Sequence, residues 1–353
     1  MKRTSRRFLI GALVLASALL WAVSSPAPER VEALYSRSFY PALAKALVPL
    51  TNSVSWSWGG ILVVTLPLLS LAWLALSWRR RRTALSWAVG TLWRVSVTLG
   101  VVYLLFISLW GANYRRTSIE TQFTLSEAAT TEAEVLAFVE LLGDIITREA
   151  DAPRDEAQAL AALSASLKTV VTEVTGVTPT LPERVKRLPA GSLLLSGRAT
   201  GVVSPLTLEP HIDGALPSVF YLAVGAHELA HVAGYAAEAD ADFIAAVAGL
   251  RAEDPFARYA TALRLWQSAV WQLPAGEQRR LYGELPSVAQ GDLEAVQSAL
   301  ARYQLPQVLT DLQRRTYDRY LKAQGVEAGV ADYSRTTQLL IAAQRQGILR
   351  PRP

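Results

Sequence analysis

The chain has 353 residues, enough for a membrane section and one or two globular domains. It contains no cysteine, which excludes disulfides and thiolate metal sites. The net charge of +5 is uneven: residues 1–120 carry 14 basic and 3 acidic side chains, and the remainder carries 21 and 27. The basic excess flanks apolar runs, as in membrane proteins, and the acidic remainder argues against a nucleic-acid partner.

Three apolar runs predict membrane-spanning helices at about residues 8–24, 60–78 and 87–110. The first run also resembles a signal peptide, but its cleavage site is poor and further spans follow, which favours an uncleaved helix. Four arginines, Arg79 to Arg82, follow the second run. The positive-inside rule places them and the basic N-terminal tail in the cytoplasm. This predicts a multi-pass protein of the cytoplasmic membrane, in contact with the lipid bilayer, with its C-terminal part outside the cytoplasm.

Residues 1–118 are therefore predicted to form a membrane domain, and residues 119–353 a mostly helical second domain. Residues 26–58 are expected to form an interfacial stretch between two spans. Ser192 to Leu195 and Gly201 to Leu208 are strand candidates, and 201–212 predicts either an edge strand that binds extended substrate or a loop with one small hairpin. Apolar residues at helical spacing predict helices in the second domain; they cover 126–149, 157–175, 255–271, 277–281, 293–303, 307–324 and 333–346.

The most informative stretch is HELAH, from His227 to His231. Residues four apart lie on one face of a helix, so His227 and His231 can direct two imidazoles at one metal ion. Glu228 lies at the flank of that face, where a zinc hydrolase has its general base. Ser218 is the expected N-cap of this helix. The alternative is a chance HExxH on an ordinary helix.

A third ligand is needed, and Glu238 is the prediction. Gly234 is expected to end the helix in a left-handed conformation and turn the chain into an antiparallel helix that returns Glu238 to the level of His231. Asp242 would then lie near His227 and hydrogen-bond its ring. This is a gluzincin-like arrangement with a short hairpin. Asp242 is the main competitor as third ligand, and His211, more often simply an exposed loop residue, is a distant one.

Several stretches together resemble a bacterial family of multi-pass membrane proteins of unknown function with a gluzincin-type HELAH. The resemblance implies three spans followed by a metallopeptidase-like domain, without a known substrate. The family pattern has Asn at the position of Asp242, so the third ligand stays open. The helix with Glu238 and Asp242 is also similar to the ExxxD element of membrane-bound zinc peptidases. The stretches that carry the family resemblance are 28–41, 109–116, 227–243, 254–259 and 320–342.

The predicted function is a membrane-anchored zinc metallopeptidase that hydrolyses a peptide or protein substrate. The cofactor is Zn²⁺, and Glu228 is the general base. The family-like motif adds Tyr333 and Arg335 as candidate oxyanion donors. One alternative is a catalytically silent membrane scaffold that retains a structural metal. Another is an intramembrane protease, which the three acids between Glu238 and Asp242 disfavour. The expected fold is mainly α, with three transmembrane helices, a zincin-like domain and a small β element.

Overall fold

The computed structural model describes residues 2–79, 83–126, 128–189 and 199–303, Leu194, isolated positions between 306 and 319, and residues 335–349. The first helices are α1 (Lys2–Val23), α2 (Pro28–Val31), a π-helix (Glu32–Phe39), α3 (Tyr40–Asn52), α4 (Trp58–Arg79) and α5 (Ala84–Leu109). A 3₁₀ turn (Gly111–Arg115), α6 (Ile119–Phe123), α7 (Glu132–Glu149) and α8 (Glu156–Thr175) follow. After three strands come α9 (Ser218–Val232), α10 (Glu238–Leu250), α11 (Pro255–Val270), α12 (Ala275–Glu284), α13 (Ser287–Arg302) and α14 (Arg335–Arg345).

Three helices among the described residues are long and apolar enough to cross a membrane: Arg6–Val23, Trp58–Arg79 and Ala84–Leu109. Only 6–11% of the residues in these apolar windows are buried, as expected of helices that face lipid. The prediction of three N-terminal spans and a mainly helical fold with a small sheet is confirmed. The kind of membrane and the side on which the C-terminal part lies stay predictions.

The segment between the first two spans is helical and packs onto the second domain. Tyr40, Ala44 and Val48 of α3 are buried in the same hydrophobic cluster as α7 to α11, and Trp110 at the end of the third span joins them. The core of the domain therefore draws on both sides of the predicted boundary between residues 118 and 119.

Helix α9 lies at the centre of the domain and, apart from His227, Glu228 and His231, carries mostly apolar residues on every side, as is typical of a buried helix. Every residue from Val219 to Val232 is buried, and α8, α10, α11 and the sheet surround the helix. The predicted helices agree with the structure in type and differ at their ends. The helix predicted from residue 126 begins only at Glu132, because Thr131 and Glu134 form a capping box there. The one predicted over 307–324 lies largely outside the described residues.

The sheet has three strands in the order β1, β3, β2: β1 is Lys186–Leu188, β2 is Gly201–Ser204 and β3 is Glu209–Asp213. β1 runs parallel to β3, and β2 pairs antiparallel with it, with Gly201 opposite Ile212. The predicted strand 201–208 ends at Ser204, since a turn follows in which Leu208 has a positive φ of 53°. The other strand candidate, Ser192 to Leu195, lies outside the described residues except for Leu194.

Two expectations near α9 need correction. Only residues 201–204 of the predicted edge strand, which form β2, lie at an edge of the sheet, because residues 209–212 belong to the central strand β3. Ser218 is not the N-cap of α9. That position is Pro217, whose preset backbone starts the helix without a side-chain hydrogen bond.

Candidate metal centre

The two histidines of HELAH lie on one face of α9. Their ring centroids are 4.6 Å apart, as expected for positions i and i+4. Both residues are 6% exposed, so their imidazoles are held in the domain interior.

The turn after α9 brings a carboxylate back to these rings. Gly234 has a φ of +92°, and the Tyr235 N–H donates to the carbonyl of Ala230, which closes the end of the helix. A Cβ at Gly234 would also lie 3.0 Å from the ring of Tyr40, so glycine meets two demands there. Four residues after Gly234, α10 begins with Glu238.

Glu238 completes a group of three ligand atoms. Its Oε2 lies 3.2 Å from Nε2 of His227 and 3.7 Å from Nε2 of His231. One ligand atom from each residue lies within 4.8 Å of the other two. Tetrahedral zinc with bonds of 2.0–2.2 Å separates its ligand atoms by about 3.3–3.6 Å. The described residues therefore fit zinc, and two histidines with one glutamate leave a fourth position open, as in catalytic sites.

Each imidazole is oriented by a hydrogen-bond partner at its Nδ1 atom. Nδ1 of His227 lies 2.7 Å from Oδ1 of Asp242, and Nδ1 of His231 lies 2.7 Å from the carbonyl oxygen of Tyr235. Arg264 in turn donates to Asp242 over 3.3 Å. Hydrogen bonds of this kind set the tautomer of a metal-binding histidine. In this arrangement both Nε2 atoms face Glu238, and Asp242 is placed behind His227.

The electrostatics of the group suit a cation. Burial lowers the pKa of His227, but the carboxylates of Asp242 and Glu238 outweigh it and raise the pKa to about 10. For Glu238 and Asp242, burial alone would raise the pKa, but the neighbouring imidazoles outweigh it. They hold the pKa of Glu238 well below its ordinary value and also lower the pKa of Asp242. Two ionised carboxylates thus flank one imidazole, and a divalent cation can take the place of its proton.

Glu228 is the remaining acid of HELAH. It is 3% exposed, and its Oε2 is buried without a hydrogen-bond partner among the described residues. Burial raises the pKa of this carboxyl group. A Cβ built on Gly201 would lie only 2.4 Å from Oε1 of Glu228, so the first residue of β2 rests directly on the carboxylate. An unpaired buried carboxylate is costly unless a water, substrate or metal uses it.

Two other predicted residues, Arg335 and His211, have partners outside the group of three ligand atoms. Tyr333 is outside the described residues. Arg335 pairs with Glu120, with contacts of 2.5–2.9 Å, and lies 3.5 Å from Asp240. Its role as an oxyanion donor, like the ligand roles above, stays a prediction. Nε2 of His211 lies 2.7 Å from Ser57 Oγ at the start of the second span, and His211 is outside the group of three close ligand atoms.

Sequence reasoning missed the residues that fix the turn between α9 and α10. Tyr40 donates its hydroxyl to the carbonyl of Val232, and the Trp110 indole donates to the carbonyl of His231. Arg116 donates to the carbonyl of Gly234 and forms a two-pronged ion pair with the buried Glu32. In these contacts the two partners are separated by 84 to 192 positions in the chain, so no local sequence pattern predicts them. The stretches 28–41 and 109–116, which contain three of these residues and Glu32, were matched only through the family resemblance.

A cavity of about 310 Å³ lies on the other side of Asp242. Asp242, Arg264, Gln272 and Thr337 are among its lining residues, whereas His227, Glu228, His231 and Glu238 are not. It therefore adjoins the residue that orients His227 and does not open onto the ligand atoms.

A family model with the description "Protein of unknown function (DUF3810)" matches residues 35–341. The chain belongs to the DUF3810 family. The match runs from the π-helix into α14, so the second and third spans, the sheet and the α9–α10 hairpin of this DUF3810 chain all lie inside it. No curated protein and no solved structure matches the chain. The expected membership of a family of unknown function is confirmed, while the gluzincin part of that expectation is not tested by any relative.

Proposed function

We propose that this DUF3810 protein is a membrane-anchored, zinc-dependent metallopeptidase. The observation that carries the proposal is the combination of His227, His231 and Glu238 with the buried carboxylate of Glu228 beside them, whose Oε2 has no hydrogen-bond partner in the described part of the chain. A structural site needs three or four ligands, but it has no use for an additional acid without a partner.

The residues have separate roles in the proposed reaction. His227, His231 and Glu238 hold the zinc ion, and Asp242 fixes the ring of His227. Zinc in such a site supplies Lewis acidity, which polarises a peptide carbonyl and acidifies water. Glu228 accepts the proton of the attacking water and passes it to the leaving amine. Its raised pKa places it nearer to the working range of a general base.

The edge strand β2 offers a place for the substrate. Among the described residues it is an edge strand of the sheet, its first residue touches Glu228, and Val202 next to it is 43% exposed. An extended peptide that pairs with this edge would run past the carboxylate, which is the geometry of strand addition. The substrate class is therefore an extended, unstructured stretch of polypeptide.

The second candidate is a silent scaffold with a structural metal, and the burial of the ligands favours it. His227, His231 and Glu238 are all 6–7% exposed. The two candidates differ in what they require of Glu228. The third, an intramembrane protease, has less support, because α9 and α10 are packed among α8 and α11 outside the three membrane-length helices.

The test is Glu228→Gln in the full-length, zinc-loaded protein, assayed by mass spectrometry against a library of unstructured peptides. We expect zinc content and thermal stability to stay at wild-type level and cleavage to fall by roughly 10²–10⁴-fold. Glu253→Gln, which changes an exposed glutamate, is the matched control. Loss of zinc and unfolding in Glu228→Gln would give this residue a structural role. A zinc-loaded wild type that cleaves nothing would favour the scaffold.

A further inference from the structure

Each of the three membrane-length helices has one end held close to the second domain. Arg115, in the 3₁₀ turn after the third helix, donates to the carbonyls of Trp21 and Ser24 at the end of α1. The next residue, Arg116, donates to the carbonyl of Gly234 in the second domain. The carboxylate of Glu209 on β3 accepts the N–H groups of Trp58 and Gly59, the first two residues of α4. The second domain therefore contacts α4 directly and α1 through this turn.

The third span ends at the metal centre itself. Trp110 caps the C-terminus of α5, and its indole N–H donates to the carbonyl of His231 over 3.0 Å. The indole and imidazole centroids are 5.9 Å apart. Trp110 is only 5% exposed and belongs to the core of the second domain. One ligand of the metal centre therefore contacts the residue at which the third membrane-length helix ends.

The edge strand β2 gives an independent measure of the distance between Glu228 and the start of the second span. Gly201, at one end of β2, rests on Glu228, and Ser204, at the other end, rests on Gly59 in the first turn of α4: a Cβ on Gly59 would lie 2.7 Å from Ser204 Oγ. Strands rise about 3.3 Å per residue, so three steps cover about 10 Å. The general base is separated from the beginning of the second span by the length of this strand alone.

The segment from Pro28 to Asn52 shows where the lipid boundary lies. One side of it packs into the domain through Tyr40, while Leu34, Phe39 and Leu50 are 73%, 51% and 70% exposed. The segment joins the first two membrane-length helices, few of whose residues are buried. The occupant assigned to these exposed apolar side chains is the headgroup region of the same bilayer, which buries the apolar face of interfacial helices.

We propose that the metal centre is held at the membrane surface, about 10 Å from the start of the second span, and acts on polypeptides anchored in the same bilayer, within the stretch that directly follows their membrane anchor. The substrate part of this inference rests on the proposed peptidase function, whereas the location does not. An extended chain covers 10 Å in about three residues, so we expect cleavage within roughly the first ten residues outside the bilayer.

The location is tested without any activity. Because the chain has no cysteine, Leu34→Cys, Val202→Cys and Ser298→Cys each provide one site for a nitroxide label. In liposomes, electron paramagnetic resonance measures how strongly oxygen and a water-soluble nickel chelate enhance the spin relaxation of each label. The ratio of the two effects reports the depth of the label in the bilayer. We expect the Leu34 label in the headgroup or acyl region, the Val202 label within about 10 Å of the phosphates, and the label on Ser298 of α13 in bulk water. A Val202 label as remote from lipid as the Ser298 label, or a Leu34 label in bulk water, would overturn the location.

The substrate class is tested with the zinc-loaded protein in liposomes. The reporter is a single-span protein with an unstructured tail, and the same tail is supplied as a free peptide. We expect the first residues of the anchored tail to be cut at least about 10²-fold faster than the free peptide, since a shared bilayer raises the effective concentration. Equal cutting of the free peptide, or cutting far along the tail, would overturn the substrate class and leave the peptidase. No cutting of either would overturn the peptidase function, and the labels would still decide the location.

Discussion

Gly201→Ala is expected to displace the proposed general base without touching the metal ligands. The new Cβ would lie 2.4 Å from Oε1 of Glu228 and within 2.9 Å of two further atoms of that side chain, whereas ordinary contacts begin at 3.4 Å. The carboxylate must therefore move by about 1 Å, a displacement that costs roughly 10²-fold in rate at a catalytic group.

The assay compares three quantities in full-length protein: bound zinc, thermal unfolding and the rate of peptide cleavage. We expect Gly201→Ala to keep one zinc per chain and to cleave roughly 10²-fold more slowly than wild type. The matched control is Gly225→Ala on α9, where the nearest atom to the new Cβ is 3.5 Å away. Alanine is favoured over glycine in a helix by about 1 kcal/mol, so this variant should be active and at least as stable as wild type.

Two results would refute the reasoning. A wild-type cleavage rate in Gly201→Ala would mean that β2 does not press on Glu228 during the reaction. Loss of zinc from Gly201→Ala, with Gly225→Ala intact, would mean that this contact supports the ligands and not the base.

Further predictions concern the ligands, the ion pair beneath them and the membrane topology. Glu238→Ala should lose zinc as badly as His231→Ala, and Asp242→Asn should cost only about 10–100-fold in zinc affinity; the reverse ranking in zinc titrations would make Asp242 the third ligand. Burial raises the pKa of Glu32, but Arg116 and Arg37 outweigh it and lower the pKa below its ordinary value, so the stability that ionised Glu32 contributes is present above about pH 4.3 and lost as the pH falls below it. Glu32→Gln should cost about 3–5 kcal/mol near neutral pH and flatten the acid side of the curve of unfolding midpoint against pH, unlike the exposed control Glu29→Gln, and an unchanged curve would contradict this. Reporter fusions after residue 82 and after residue 353 should report opposite sides of the membrane, and a cytoplasmic C-terminus would overturn the orientation.

The proximity of His227, His231 and Glu238 was predictable because these residues are local in the chain. His227, His231, Gly234, Glu238 and Asp242 lie within 16 residues, and helix periodicity with one left-handed turn is sufficient to bring them together. The three spans were equally accessible, since long apolar runs carry their own signal.

The surroundings of the centre were not predictable, because they depend on contacts between distant residues. The sequence predicted a strand that begins at Gly201, but the position of Gly201 on Glu228 follows from the pairing of β2 with β3, and neither this pairing nor the turn at Leu208 has a distinct sequence pattern. Trp110 reads as a membrane-interface residue, and its hydrogen bond to His231 spans 121 positions. Lys186 is buried in an ion pair with Glu209 near the start of the second span. The segment around it has the composition of an exposed loop, so the sequence does not indicate this burial.

The zinc content of purified full-length protein tests the central claim, that His227, His231 and Glu238 form a zinc site. After equilibration with zinc and removal of excess ion, mass spectrometry should find one zinc per chain in wild type and in Glu228→Gln. The same measurement should find essentially none in His231→Ala, and the wild type should unfold at a higher temperature with zinc than with a chelator, because the ion binds only the folded state. A folded wild type that retains no zinc, or a His231→Ala variant that retains a full equivalent, would contradict the account.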